Sequence, residues 1–183
     1  MGHTNAQLIR VHSLNREVER IVRVDHAGEH GAIQIYTAQL KIARLLYKDI
    51  APLLEEMPNH EREHHETFGA LLKRRNIRTC YALPIWAIGG FVLGSLTGLL
   101  GRNAIWVCTA SIESTVLHHL EWQLEYLKSN DIEAYEAVKS IKSDEEEHLA
   151  HGNSKGKQSF IYAPIFVVVR YSTKFAIWLS TKL

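Results

Sequence analysis

Asp144-Glu145-Glu146-Glu147-His148 contains Glu145-x-x-His148, two metal-ligand side chains three residues apart and therefore on one side of a helix. His60-Glu61-Arg62-Glu63-His64 repeats that spacing in the first half of the chain. A lone glutamate precedes each pair by 32 residues, Glu29 before Glu61 and Glu113 before Glu145. An isolated pair of this kind is common on solvated helix faces. The ordered set Glu, Glu-x-x-His, Glu, Glu-x-x-His is the ligand inventory of a di-iron or di-manganese carboxylate site inside a four-helix bundle.

Working outward from that set, the chain reads as helical. Its 183 residues suffice for one domain with a real core. Only four prolines interrupt long periodic segments. The spacing predicts bundle helices over about 13–49, 53–77, 103–130 and 132–153, with Ser13 and Asp131 as N-caps, Pro52 starting the second helix and a bend near Pro58. The inward stripes are Val18, Ile21, Val22, Ala32, Ile33, Tyr36, Leu40 and Ala43 on the first helix, Leu54, Met57, Phe68, Leu71 and Leu72 on the second, Trp106, Ala110, Leu117, Leu120, Leu124 and Leu127 on the third, and Tyr135, Val138 and Ile141 on the fourth. Glu29, Glu61 with His64, Glu113, and Glu145 with His148 fall on or beside these stripes. A glutamate placed there destabilises the fold unless its charge is paired or bound.

Two further stretches are apolar. Residues 79–101 form a run of 23 without a charged side chain, with Gly90, Gly94 and Gly98 at four-residue spacing. It occupies the crossover between the second and third bundle helices, where a ferritin-like bundle needs a long connection. Its length approaches that of a membrane span, but Pro84 shortens the helical part, which favours a helix lying in the membrane interface. A last helix over 161–179 is apolar apart from Arg170 and Lys174, which can snorkel. Together these stretches favour attachment to a membrane surface over a simple soluble bundle. The domain expected is therefore a single all-α unit over 1–183, a ferritin-like four-helix bundle with an apolar crossover helix and an additional C-terminal membrane-facing helix.

Twenty-one basic against twenty acidic residues give a net charge of +1, with no basic surplus for nucleic acid. Cys80 and Cys108 form neither a CxxC motif nor a disulfide framework. Four carboxylates and two imidazoles suit iron, and two neighbouring ions need bridging anions. Glu61 and Glu145 are the candidate bridges, with Glu29 and His64 completing one ion and Glu113 and His148 the other. Asp25, on the Glu29 side of its helix, and Asp144 are candidates to accept an imidazole N–H. His26 and His30 fall off the metal face, and His118 or His119, just beyond Glu113, is a candidate proton donor beside a substrate channel.

Arg23-Val24-Asp25-His26-Ala27-Gly28-Glu29-His30-Gly31-Ala32 closely resembles the first metal-binding segment of the Coq7 family, the demethoxyubiquinone hydroxylases of ubiquinone biosynthesis. The likeness continues through His60 to His64, Leu83-Pro84-Ile85-Trp86, Glu113 to His119 and Asp144 to His148, covering nearly the whole chain from about Asn15. His30 stands where some relatives have another residue. By the resemblance, Glu29, Glu61, His64, Glu113, Glu145 and His148 bind two iron ions, and the protein is a peripheral membrane monooxygenase that uses O2 to hydroxylate the ring of a polyprenyl demethoxyquinone or quinol. NADH, a reductase or the bound quinol would supply electrons. A lipid-binding partner of the same pathway and a homo-oligomer are further expectations. So is a location on the cytoplasmic face of the bacterial inner membrane, or on the matrix side of the mitochondrial one in a eukaryote. A di-iron quinol oxidase and a ferritin-like iron-handling protein are the alternatives.

Overall fold

Six helices account for nearly all of the computed structural model, which describes residues 5–157 and 159–183: α1 Asn5–Leu46, α2 Ala51–Arg74, α3 Leu83–Leu99, α4 Arg102–Asn130, α5 Ile132–Lys155 and α6 Ala163–Ser180. Residues 1–4 of the expected domain lie outside the described residues. α1 does not begin at Ser13 but continues back to Asn5, since no proline or glycine between Asn5 and Ser13 obliges the chain to break. α2 opens with Pro52 in its first turn, where a missing N–H costs nothing, and continues through Pro58. Asp131 does cap α5, its carboxylate accepting the Ala134 N–H. α3 is shorter than the apolar run that contains it, starting at Leu83 with Pro84 in its first turn. Among the described residues, no helix is long and apolar enough to cross a membrane.

The short α1–α2 and α4–α5 connections make two helical hairpins, and α3 and α6 lie against the outside of this bundle. Two apolar clusters fill it. One gathers Tyr36, Leu54, Met57, Ile105, Trp106 and Ile112, and the other Val22, Phe68, Leu71, Leu120, Leu127 and Ile141. On α1, α2 and α4 the metal-face glutamate lies in sequence between residues of the two clusters, so close packing on both sides fixes the height of the site in the bundle. Beyond its predicted stripe, α4 is buried continuously from Ala104 to Glu113 because α6 covers its other side.

α3 inverts the usual amphipathic pattern. Its buried residues are Gly90, Gly94, Thr97 and Gly98, while Ile85, Ile88, Phe91, Val92, Leu96 and Leu99 face outward. The glycine stripe lets α3 approach the α1 backbone closely: a Cβ on Gly94 would lie 2.2 Å from the Ile35 carbonyl oxygen, and one on Gly90 2.5 Å from that of Gly31. Gly94→Ala is therefore expected to destabilise the protein by about 1–3 kcal/mol, because a backbone carbonyl cannot swing aside as a side chain can. Gly89 has open space around its Cβ position, so Gly89→Ala should stabilise the helix by up to about 1 kcal/mol. Opposite shifts in thermal midpoint would be the readout, and equal shifts would refute the close-approach account.

α6 likewise exposes Val167, Val168, Tyr171, Phe175 and Trp178. The Trp86 indole N–H donates to Ser180 Oγ at 3.1 Å and ties the two helices together.

Candidate metal centre

Glu29 of α1, Glu61 and His64 of α2, Glu113 of α4, and Glu145 and His148 of α5 are all buried at one level of the bundle. Their ligand atoms form two groups, Glu29, Glu61, His64 and Glu145 in one, and Glu61, Glu113, Glu145 and His148 in the other, each with all its atoms within 4.8 Å of one another. Glu61 and Glu145 belong to both. Helical phase explains the selection: Glu63, Glu146 and Glu147, beside these residues in sequence, point outward and are exposed.

The two halves are related in their contacts. His64 Nδ1 lies 3.2 Å from Glu145 Oε1 and 3.9 Å from Glu29 Oε2. His148 Nδ1 lies 3.3 Å from Glu61 Oε1 and 3.9 Å from both Glu113 Oε1 and Glu145 Oε2. Neither Nδ1 makes a hydrogen bond, and Glu61 Oε1 and Glu145 Oε1 are also without partners. Among the described residues, no lysine or arginine pairs with any of the four glutamates. Four buried acids, two nitrogen lone pairs and no protein cation are the donor set of a site completed by metal cations.

Burial raises all four carboxyls. Glu61 is pushed up to about 8 and Glu145 to about 7, while Glu29 and Glu113 lie well above the ordinary range, each raised further by a neighbouring glutamate. Burial opposes a charge on His64, but the close Glu145, Glu29 and Asp144 carboxylates overcome it and raise it to about 9. His148 is lowered by burial despite the pull of Glu113. Without metal, protons must do the neutralising.

The supporting contacts divide in two. Asp144 Oδ2 accepts from His64 Nε2 at 3.0 Å, across helices and not on its own helix. Asp25 reaches no imidazole. It is buried and instead accepts the Gln123 amide at 2.8 Å. Two contacts escape a reading by periodicity. The buried Tyr36 hydroxyl donates to Glu113 Oε1, although its position seven residues beyond Glu29 is a two-turn signal for the same face. His60 Nδ1 meets His148 Nε2 at 3.2 Å.

His26, off the metal face, is buried and stacks on His65 with ring centroids 4.0 Å apart. His30 also lies beside His65. His118 is exposed and faces Glu121. His119 lines a cavity of about 320 Å³ that also reaches Glu29, Glu61, Glu113 and Glu145. Its Nδ1 accepts the Trp122 indole N–H at 3.0 Å, and burial lowers it to about 4, which keeps the ring neutral. The outer wall of the cavity comes from Trp86, Gly90 and Leu93 of α3 and Thr173, Phe175 and Ile177 of α6, so an apolar chamber joins the carboxylates to the two helices that expose apolar surface.

Comparison with known proteins agrees with this geometry. The chain is 37% identical over 179 residues to the NADPH-dependent 3-demethoxyubiquinone 3-hydroxylase, mitochondrial, of Dictyostelium discoideum, covering 95% of this chain and 82% of that protein. It is 33% identical over 171 residues to the human protein of the same name, covering 91% and 78%. It is 32% identical over 169 residues to the 3-demethoxyubiquinol 3-hydroxylase of Rhodospirillum rubrum, covering 90% and 78%. The family model described as ubiquinone biosynthesis protein COQ7 matches residues 16–180, a span that includes all six buried candidate ligands, and the chain belongs to that family.

Proposed function

We propose that this protein is a di-iron, O2-dependent hydroxylase of ubiquinone biosynthesis that adds an oxygen atom to the ring of demethoxyubiquinone or its quinol. The observation carrying this reading is the pair of four-ligand groups at the end of an apolar chamber. Glu29, Glu61, His64, Glu113, Glu145 and His148 would hold the two irons, with Glu61 and Glu145, the members of both groups, available to each ion. The ferrous pair supplies the redox chemistry that activates O2. Tyr36 holds Glu113 in one orientation, and Asp144 does the same for His64. His119, neutral and with Nδ1 occupied by Trp122, offers its Nε2–H to a ring oxygen. The apolar chamber walls exclude water and orient the ring by its shape.

The reaction balances as ring C–H, O2, two electrons and two protons giving ring C–OH and water. Reduced nicotinamide, named in the mitochondrial relatives, supplies the electrons. The outward side chains of α3 and α6 seat the protein on a membrane from which a polyprenyl substrate enters, so attachment is peripheral. In this reading the bundle is ferritin-like, with α3 and α6 as its membrane-facing additions.

The test loads purified protein with ferrous iron without oxygen and supplies a demethoxyquinone in vesicles with reduced nicotinamide. Isotope-labelled O2 is then admitted. One labelled oxygen atom in the product ring is expected. Consumption of O2 with label only in water would instead establish a quinol oxidase.

A further inference from the structure

Both metal-face histidines turn Nδ1 toward the carboxylates, so each must find a partner for Nε2. The partners differ. His64 Nε2 meets the Asp144 carboxylate at 3.0 Å, whereas His148 Nε2 meets Nδ1 of a third histidine, His60, at 3.2 Å. The His60 and His148 planes are only 12° apart and their centroids are 5.3 Å apart. That separation exceeds the 3.2 Å nitrogen distance by nearly the width of a ring, so the two nitrogens lie between the centroids. The rings are joined edge to edge by a hydrogen bond close to their planes, with little overlap of their faces.

The direction of this bond follows from the other side of His148. Binding a cation through Nδ1 requires the proton on Nε2, which therefore donates, and His60 Nδ1 accepts. His60 thus turns the lone pair of Nδ1 to that N–H and its Nε2 away from His148. It sits immediately before Glu61 on α2 and is half-exposed, so its backbone is fixed by the packing that fixes Glu61.

We infer that His60 is a positioning residue: it sets the tautomer and ring plane of His148 and makes the two halves of the centre unequal. This rests on the di-iron reading for its metal consequences. A carboxylate acceptor draws the Nε2 proton of His64 more strongly than a neutral imidazole draws that of His148, making His64 the more basic ligand. The iron beside Glu29 and His64 is held more tightly, and the iron beside Glu113 and His148 is removed first by a chelator.

The test uses the full chain with His60→Leu, which removes the acceptor, and His60→Gln, which restores one as an amide carbonyl. In metal-free protein, nitrogen NMR of His148 should show one Nε2–H tautomer in the wild type and in His60→Gln, and a mixture in His60→Leu. In anaerobic ferrous protein, Mössbauer spectra should show two iron environments. His60→Leu should move one of them and Asp144→Asn the other. Chelator competition should show about a 10- to 100-fold weaker second iron in His60→Leu, recovered in His60→Gln.

An unchanged His148 tautomer with unchanged affinity for both irons in folded His60→Leu would overturn the inference. If wild-type protein bound no iron, the di-iron reading would fail by itself, and the metal-free tautomer measurement would still decide whether His60 positions His148. Thermal melting of each metal-free variant separates loss of the hydrogen bond from loss of the fold.

Discussion

Metal-free protein is expected to lose stability as pH rises from about 6.5 to about 9, and ferrous iron is expected to reverse the trend. The sign follows from proton counts. Glu61 is raised to about 8 and Glu145 to about 7, with Glu29 and Glu113 higher than the ordinary range, so between the unfolded and folded values the native state binds more protons than the unfolded chain. Stability then falls as pH rises. Asp25, raised to about 7 by burial, and His64, raised to about 9 by its carboxylate partners against burial, act in the same direction. His26, His30, His65, His119 and His148 are lowered, mainly by burial, and act oppositely, but only as pH falls below their ordinary value of 6.5, where they offset the acids. At about 1.4 kcal/mol per pH unit for each group, the acids together amount to several kcal/mol, a large part of a domain's net stability.

Iron replaces those protons. Its binding strengthens as the carboxyls ionise, so the loaded protein should gain in melting temperature over the range in which the metal-free protein loses it. Thermal melts at a series of pH values, with and without anaerobic ferrous iron, test both halves. A metal-free midpoint that rises steadily with pH would mean that the glutamates have protein counter-charges, against the structure.

Much of this site was legible in the sequence because each helix carries its own evidence. Glu61 and His64, and Glu145 and His148, share a face by spacing alone, and Asp131 could be read as a cap from its type and position. Contacts between helices were not legible in the same way. Asp144 was a candidate imidazole acceptor, but periodicity does not say that its partner is His64, 80 residues away. Tyr36 read as one more apolar position, since its hydroxyl partner Glu113 lies 77 residues on. Asp25 looked equivalent to Asp144, yet finds Gln123. α1 starts at Asn5 and not at Ser13, whose capping propensity the uninterrupted helix overrides. α3 was visible as apolar, but which side it buries depends on the α1 backbone against its glycines.

The iron stoichiometry of single variants should be graded by the sharing of ligands. Glu61 and Glu145 are the members common to both four-ligand groups. In the proposed centre Glu61→Ala therefore removes a donor from each ion together with an anion that would screen their mutual repulsion. Loss of nearly all bound iron, and of hydroxylation with it, is expected. His64→Ala removes a donor from one group alone, so about one iron per chain should survive, with the hydroxylase activity gone because activation of O2 uses the pair. A general folding defect would lower iron equally in both variants, and Glu61→Gln excludes it. In metal-free protein near pH 8, replacing a buried acid that ionises there with a neutral amide of the same shape should raise the melting temperature, with a gain on the order of 1–4 kcal/mol. In iron-containing buffer the same variant should show no metal-dependent rise. Opposite signs in the two conditions would identify Glu61 as a residue whose charge serves metal binding at the expense of the fold. If Glu61→Gln destabilised the metal-free bundle and kept both irons, the bridge would have to be another residue.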